Sequence, residues 1–74
     1  MARSFDHVRK NLAQNIRALR DEERLSQEEL ALRADVDRTY VSQIERAIGN
    51  PSLLVLYKLS AVLGVDVKQL FDRE

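Results

Sequence analysis

Residues 26–46, SQEELALRADVDRTYVSQIER, constrain the fold of this chain more than any other stretch. Apolar residues recur at helical spacing in two short runs, and a tight turn at Asp35 and Val36 separates them. The second run opens with Arg38, Thr39 and Tyr40 and carries Gln43 one turn later. These side chains are long or polar, and they cluster at the exposed start of a short helix. A helix so equipped suits the reading of base edges in a DNA major groove.

The local signals elsewhere are helical too. Val8, Leu12, Ile16 and Leu19 recur at 4, 4 and 3 residues, which predicts a first helix from about Phe5 or Asp6 to Glu22. Arg24 and Leu25 lie in the connection. Ser26 and Glu29 form a capping box that opens a second helix, with Leu30, Ala31 and Ala34 as its narrow apolar face. Asp35 can end that helix in the left-handed conformation, which Asp tolerates better than most residues. Asp37 suits the cap of a third helix reaching Glu45 or Arg46, with Val41 and Ile44 turned inward. Gly49 and Asn50 mark a loop over 47–51. Ser52 caps a fourth helix that ends before Gly64, with a core stripe of Leu53, Leu56, Leu59 and Leu63. Asp66 caps a short fifth helix carrying Val67, Leu70 and Phe71. The expectation is an all-α, compact five-helix domain spanning 1–74, with the two-helix motif at about 27–46.

Composition narrows the function. A chain of 74 residues makes one small domain, burying roughly 60% of the surface its unfolded form exposes. Dimerisation is one common way to stabilise such a domain. Zero cysteines exclude disulfides and thiolate ligands, and one His without a ligand cluster speaks against zinc or any other metal. His7 reads as a surface residue. With no nucleophile–base pair and no Gly-rich phosphate loop, neither an enzyme, a cofactor nor a small-molecule substrate is expected. No apolar run approaches ~18 residues, so no membrane span is expected. MARSFDHVRK lacks the apolar core of a secretory signal, so a cytoplasmic, nucleoid-associated location is expected. The 12 basic and 12 acidic residues cancel, which counts mildly against DNA as a partner. Placement matters more than the sum. The acids crowd at 21–23 and 28–29, while Arg3, Arg9, Lys10, Arg38 and Arg46 lie elsewhere. A neutral total can therefore hide one basic face.

Taken together, LSQEELALRADV, DRTYVSQIER, NPSLLVLYKLSAVLGV and the closing QLF resemble the Cro/repressor (XRE-type) helix-turn-helix family over about residues 12–71. The combination of motifs at fixed offsets makes the likeness specific. The DRTYVSQIER segment and the single-domain length look like the controller proteins of restriction–modification systems. The resemblance implies a lambda-repressor-like fold whose third helix enters the major groove. It implies base contacts for Arg38, Thr39 and Gln43, a phosphate contact for Gln27, and backbone contacts for Asn50 and Ser52. It also implies an ion pair between Arg20 and Glu45. In repressors that also activate, an acidic patch on the second helix touches RNA polymerase, a role that would fall here to Glu28 and Glu29. Arg24, Asp35 and Ala47 stand where the family usually has Gly, which implies slight strain at those turns.

Each residue also has a plainer reading. Arg38 could be a solvated surface arginine, and Gln43 a spectator. Thr39 could only support the helix start. Tyr40 could belong to the core or the surface rather than to a DNA contact. Ser42 and Arg46 suit phosphates better than bases. Gln27 could serve as a cap, and Arg20 and Glu45 could be two solvated charges. Glu28 and Glu29 also fit a solvated, dipole-compatible first turn. Leu54, Val55, Val65, Val67 and Phe71 exceed what one core stripe uses. They are either extra core or a homodimer surface, and the second reading is preferred. The expected function is a homodimeric, sequence-specific transcription regulator on a double-stranded DNA operator, with half-sites roughly 34 Å apart. The rival is a protein-interaction module of antitoxin or adaptor type on the same fold.

Overall fold

The computed structural model describes residues 2–72. The single-domain expectation also takes in positions 1, 73 and 74, which lie outside the described residues. Among the described residues there are five helices and no strand: α1 (Phe5–Glu22), α2 (Gln27–Ala34), α3 (Arg38–Glu45), α4 (Leu53–Leu63) and α5 (Val67–Phe71). Each begins at a side-chain cap. Ser4, Ser26, Asp37, Ser52 and Asp66 each accept a backbone N–H from the following turn. Those bonds satisfy amides that a helix start leaves unpaired. The Ser26–Glu29 and Asp66–Gln69 pairs do so reciprocally.

Four of the five helices also end alike. Arg24, Asp35, Ala47 and Gly64 adopt the left-handed conformation, with φ of 56°, 57°, 57° and 73°. The next residue is apolar each time: Leu25, Val36, Ile48 and Val65. Their amides donate back to the carbonyls of Arg20, Ala31, Gln43 and Ser60 at 3.0–3.1 Å. This is the Schellman closure, which satisfies the last carbonyls and turns the chain sharply. Three of the four left-handed positions carry a β-carbon, which costs about 1–2 kcal/mol each relative to an unstrained backbone.

The core takes one fully buried residue from every helix: Ile16, Leu30, Val41, Leu59 and Leu70. α1 packs on α3 and α5, α2 on α3 and α4, and α4 on α5. Asn15 Nδ2 donates to the Leu70 carbonyl at 2.8 Å and ties α5 to α1. The radius of gyration is 11.2 Å, close to the ~11 Å of a well-packed domain of this length.

The stripe expected on α4 needs a correction. Leu56, Leu59 and Leu63 are buried, but Leu53 is 72% exposed, and Ser60 takes a buried place instead. Leu53 is the first helical residue. Cα–Cβ bonds in a helix tilt toward its N-terminus, so this side chain overhangs the end. The Ser60 hydroxyl donates to the Tyr57 carbonyl at 2.7 Å, so it is buried with a partner. At the start of α1, Val8 is half-buried rather than part of the core.

Candidate nucleic-acid interface

α3 turns Val41, Ile44 and Glu45 inward. That leaves Arg38, Thr39, Tyr40 and Arg46 exposed, with Ser42 and Gln43 half-buried at the edges of the outer face. The Asp37 carboxylate accepts the Thr39 amide at 2.8 Å and the Thr39 hydroxyl as well. These bonds hold the Asp37 carboxyl below its ordinary range. They also commit the Thr39 proton, leaving its methyl group and oxygen lone pairs for other contacts. Among the described residues neither Arg38 nor Arg46 is in an ion pair, so α3 carries a free guanidinium at each end.

The inner side of α3 is fixed through Glu45, which is only 5% exposed. Its carboxylate accepts Arg20 Nε at 2.8 Å and Nη2 at 2.9 Å, and Gln27 Nε2 at 3.1 Å. Arg20 Nη1 donates to the Leu25 carbonyl at 2.9 Å, bracing the α1–α2 turn. Arg17 Nη2 donates to the Glu45 carbonyl at 2.7 Å, at the end of α3. Burial is the largest single influence on Glu45 and opposes its ionisation. The hydrogen bonds from Arg20 and Gln27, with the charges of Arg20 and Arg17, together outweigh it and lower its pKa. The bond to Glu45 raises that of Arg20 against its own desolvation. Three helices are therefore locked at one carboxylate, and Gln27, on the first turn of α2, belongs to that lock.

After α3 the chain folds back beside its outer face. A cavity of about 260 Å³ lies between them, lined by Tyr40, Gln43, Ile48, Asn50, Ser52 and Val55 among others. Asn50 and Ser52 are exposed there, and Ser52 Oγ accepts the Val55 amide at 3.1 Å as the α4 cap. The fold thus gathers Tyr40, Gln43, Asn50 and Ser52 at one concavity. Arg38 and Thr39 lie on α3 outside it, Arg46 at the C-cap of α3, and Gln27 on α2. Glu28 and Glu29 are both exposed at the start of α2, with Glu29 accepting the Ser26 amide at 2.9 Å. One turn on from Glu28, Leu32 is 80% exposed, which sequence reasoning did not single out.

The apolar residues of the C-terminal third divide into two groups. Val55, Val65 and Phe71 are half-buried against the core cluster. Val67 is half-buried in a second concavity beside Tyr57 and Val65. Leu54 is 61% exposed, and the other exposed apolar side chains nearby are Leu53, Tyr57 (59%) and Ile48. Tyr57 was not singled out from the sequence, though its signal lies in the same surplus: LLVLYKLSAVL is apolar nearly all round where a surface helix has one stripe. Among the described residues no group of acidic, His or Cys side chains could hold a metal ion. No helix there is long and apolar enough to cross a membrane.

Two short helices joined by a tight turn, with the second presenting polar side chains outward, define a helix-turn-helix domain. The helix-turn-helix family pattern matches residues 16–70, and this chain belongs to that family, in its Cro/repressor (XRE-type) branch. It is 41% identical over 68 residues to control protein C.BamHI of Bacillus amyloliquefaciens, covering 90% of this chain and 84% of the relative. Two further relatives are longer, and the chain spans 44% and 59% of them. The restriction–modification controller protein C.AhdI of Aeromonas hydrophila superposes with a TM-score of 0.80 at 38% identity, over 85% of this chain and 96% of that one. SinR, a master regulator for biofilm formation solved in complex with DNA, superposes with a TM-score of 0.77 at 45% identity, over 82% and 98%.

Proposed function

We propose that this chain is a sequence-specific DNA-binding transcriptional regulator, homodimeric on a roughly symmetric operator, in the manner of a restriction–modification controller. The observation that carries the reading is the outer face of α3, which pairs exposed donors and two free guanidiniums with a locked inner face. Arg38, Thr39, Gln43 and Tyr40 read base edges. Gln27, Ser42, Arg46, Asn50 and Ser52 hold phosphates. Phosphate contacts set affinity and orientation, and base contacts set sequence choice. An amide nitrogen carries two hydrogens, so Gln27 can serve Glu45 with one and a phosphate with the other. Each protomer places α3 in one major groove, with half-sites roughly 34 Å apart.

The dimer surface is the α4–α5 side, where Leu54, Val55, Val65, Val67 and Phe71 are joined by the more exposed Tyr57. Glu28 and Glu29, with Leu32 beside them, form the patch offered to RNA polymerase when the operator overlaps a promoter. The site of action is the cytoplasm, on the nucleoid, and the activity is binding rather than catalysis. The zero net charge favours one rival, a protein-interaction module of antitoxin or adaptor type. Selection from a randomised double-stranded DNA library, followed by mobility shifts at increasing salt, decides between them. A two-fold related site whose affinity falls steeply with salt is expected. Equal binding to all sequences, or none, would sink the sequence-specific reading.

A further inference from the structure

Gly49 sits against Gln43 where a β-carbon would crowd that side chain. Its φ is +78°, and a β-carbon there would stand 3.3 Å from Gln43 Oε1, 3.8 Å from its Cβ and 3.9 Å from its Cδ. The Gln43 carbonyl accepts the Ile48 amide at 3.0 Å, so the loop is fastened to the base of that same residue. Only the free end of the side chain can give way. We infer that Gly49 is a positioning residue for sequence choice, setting the direction of the Gln43 amide without itself touching a base. The inference rests on the base-reading role proposed for Gln43.

A two-point contact requires both of its atoms in place at once. A glutamine amide reads adenine by offering Oε1 and Nε2 together to N6 and N7. A methyl group at position 49 would push Oε1 aside by a few tenths of an ångström. That shift costs the fold little, because the displaced atom ends a flexible side chain. It spoils the paired geometry of the contact. Gly64 supplies an internal control, with φ +73° and nothing within 4 Å of where its β-carbon would stand. Gly64→Ala therefore carries the same backbone penalty as Gly49→Ala, but no new contact.

Base-preference profiles from a randomised double-stranded DNA library should be compared for wild type, G49A, G64A, Q43A and the G49A/Q43A double variant, with a thermal melt of each. Both glycine variants should melt lower. G64A should keep the wild-type profile. G49A should lose discrimination at the base pair that Q43A alters, by at least about fivefold, the lower end for one base-edge contact. The double variant should match Q43A alone. Gly49→Asn, which keeps a β-carbon but tolerates positive φ, replaces G49A if that protein does not fold, with the same profile expected. A Q43A profile identical to wild type would overturn the base-reading role and this inference with it. An altered Q43A profile with wild-type G49A and G49N profiles would overturn the inference alone.

Discussion

Arg20 and Glu45 meet through two parallel hydrogen bonds, Nε to Oε2 at 2.8 Å and Nη2 to Oε1 at 2.9 Å, across 25 positions of sequence. The paired geometry fixes orientation as well as distance. It sets the angle at which α3 leaves α1, and with it where Arg38 and Gln43 point. Glu45→Ala would leave the largely buried Arg20 guanidinium without its partner, at a cost of about 3–5 kcal/mol. Urea unfolding should show that loss, with Glu45→Gln falling between it and wild type. A loss below about 1 kcal/mol for Glu45→Ala would mean that Arg20 reaches solvent at no expense.

The same pair makes stability depend on pH in one direction. The Glu45 pKa lies below its unfolded value. Its contribution is therefore complete above the unfolded glutamate pKa, about 4.3, and is lost as pH falls through the lower folded value. Asp6, Glu29 and Asp37 are shifted the same way at the surface. Stability should stay flat from pH 7 to about 5 and fall below that. Glu45→Gln should show a shallower acid slope than wild type. Equal slopes would assign the acid sensitivity to the other carboxylates.

Three helix ends close on a left-handed residue that is not glycine. Ala47 has φ of 57° and Arg24 of 56°, and neither residue type tolerates that conformation as well as Asp does. Ala47→Gly and Arg24→Gly should each raise stability by roughly 0.5–1 kcal/mol, the relief of strain less the extra freedom glycine gives the unfolded chain. Asp35→Gly should gain less. Thermal melts of the three single variants check the order. A drop in the melting temperature for Ala47→Gly would show that the alanine methyl packs more usefully than its backbone suffers.

Much of this fold was legible because its signals are local. Ser26, Asp37, Ser52 and Asp66 announce helix starts within three residues, and the Leu12, Ile16 and Leu19 spacing needs no partner to be read. Leu53 was misplaced because spacing alone says nothing about where a helix end meets solvent. The special turns at Arg24, Asp35 and Ala47 are expected from the family's glycines at those places, but the shared closure is not, because it is completed by the amide of the apolar residue that follows each one. The tie from Gln27 to Glu45 joins residues on different helices, and no feature of either one's neighbours points to the other. The contact of Gly49 with Gln43 depends on a side-chain rotamer, which sequence spacing does not encode.

The two free arginines of α3 should separate in function. Arg38→Ala should relax discrimination at one base pair per half-site and cost about 1–3 kcal/mol of specific affinity. Arg46→Ala should weaken binding to all sequences about equally and lower the salt slope by about one. Gln27→Ala should also weaken binding uniformly, but with the salt slope kept, since the amide is uncharged. Titrations against operator variants at several salt concentrations distinguish the three. An unchanged preference at every position for Arg38→Ala would remove it from base reading.

The proposed dimer surface calls for variants that do not confuse association with folding. Val55, Val65 and Phe71 are half-buried against the core, so a charge at any of them threatens both. Leu54 and Tyr57 project from α4 with most of their surface free, and a charge there disturbs the monomer little. In a dimer packed on this face the same charge would be desolvated without a partner, which is costly. Leu54→Glu and Tyr57→Glu should therefore stay helical by circular dichroism and sediment as monomers. Phe71→Glu should lose helical signal as well. Wild-type operator occupancy should rise steeply with protein concentration, because dimerisation precedes binding, and that steepness should disappear in the two α4 variants. If Leu54→Glu and Tyr57→Glu remain folded dimers with unaltered binding, α4 is not the contact. If wild type itself sediments as a monomer at the concentrations that fill the operator, the protomers associate only on DNA.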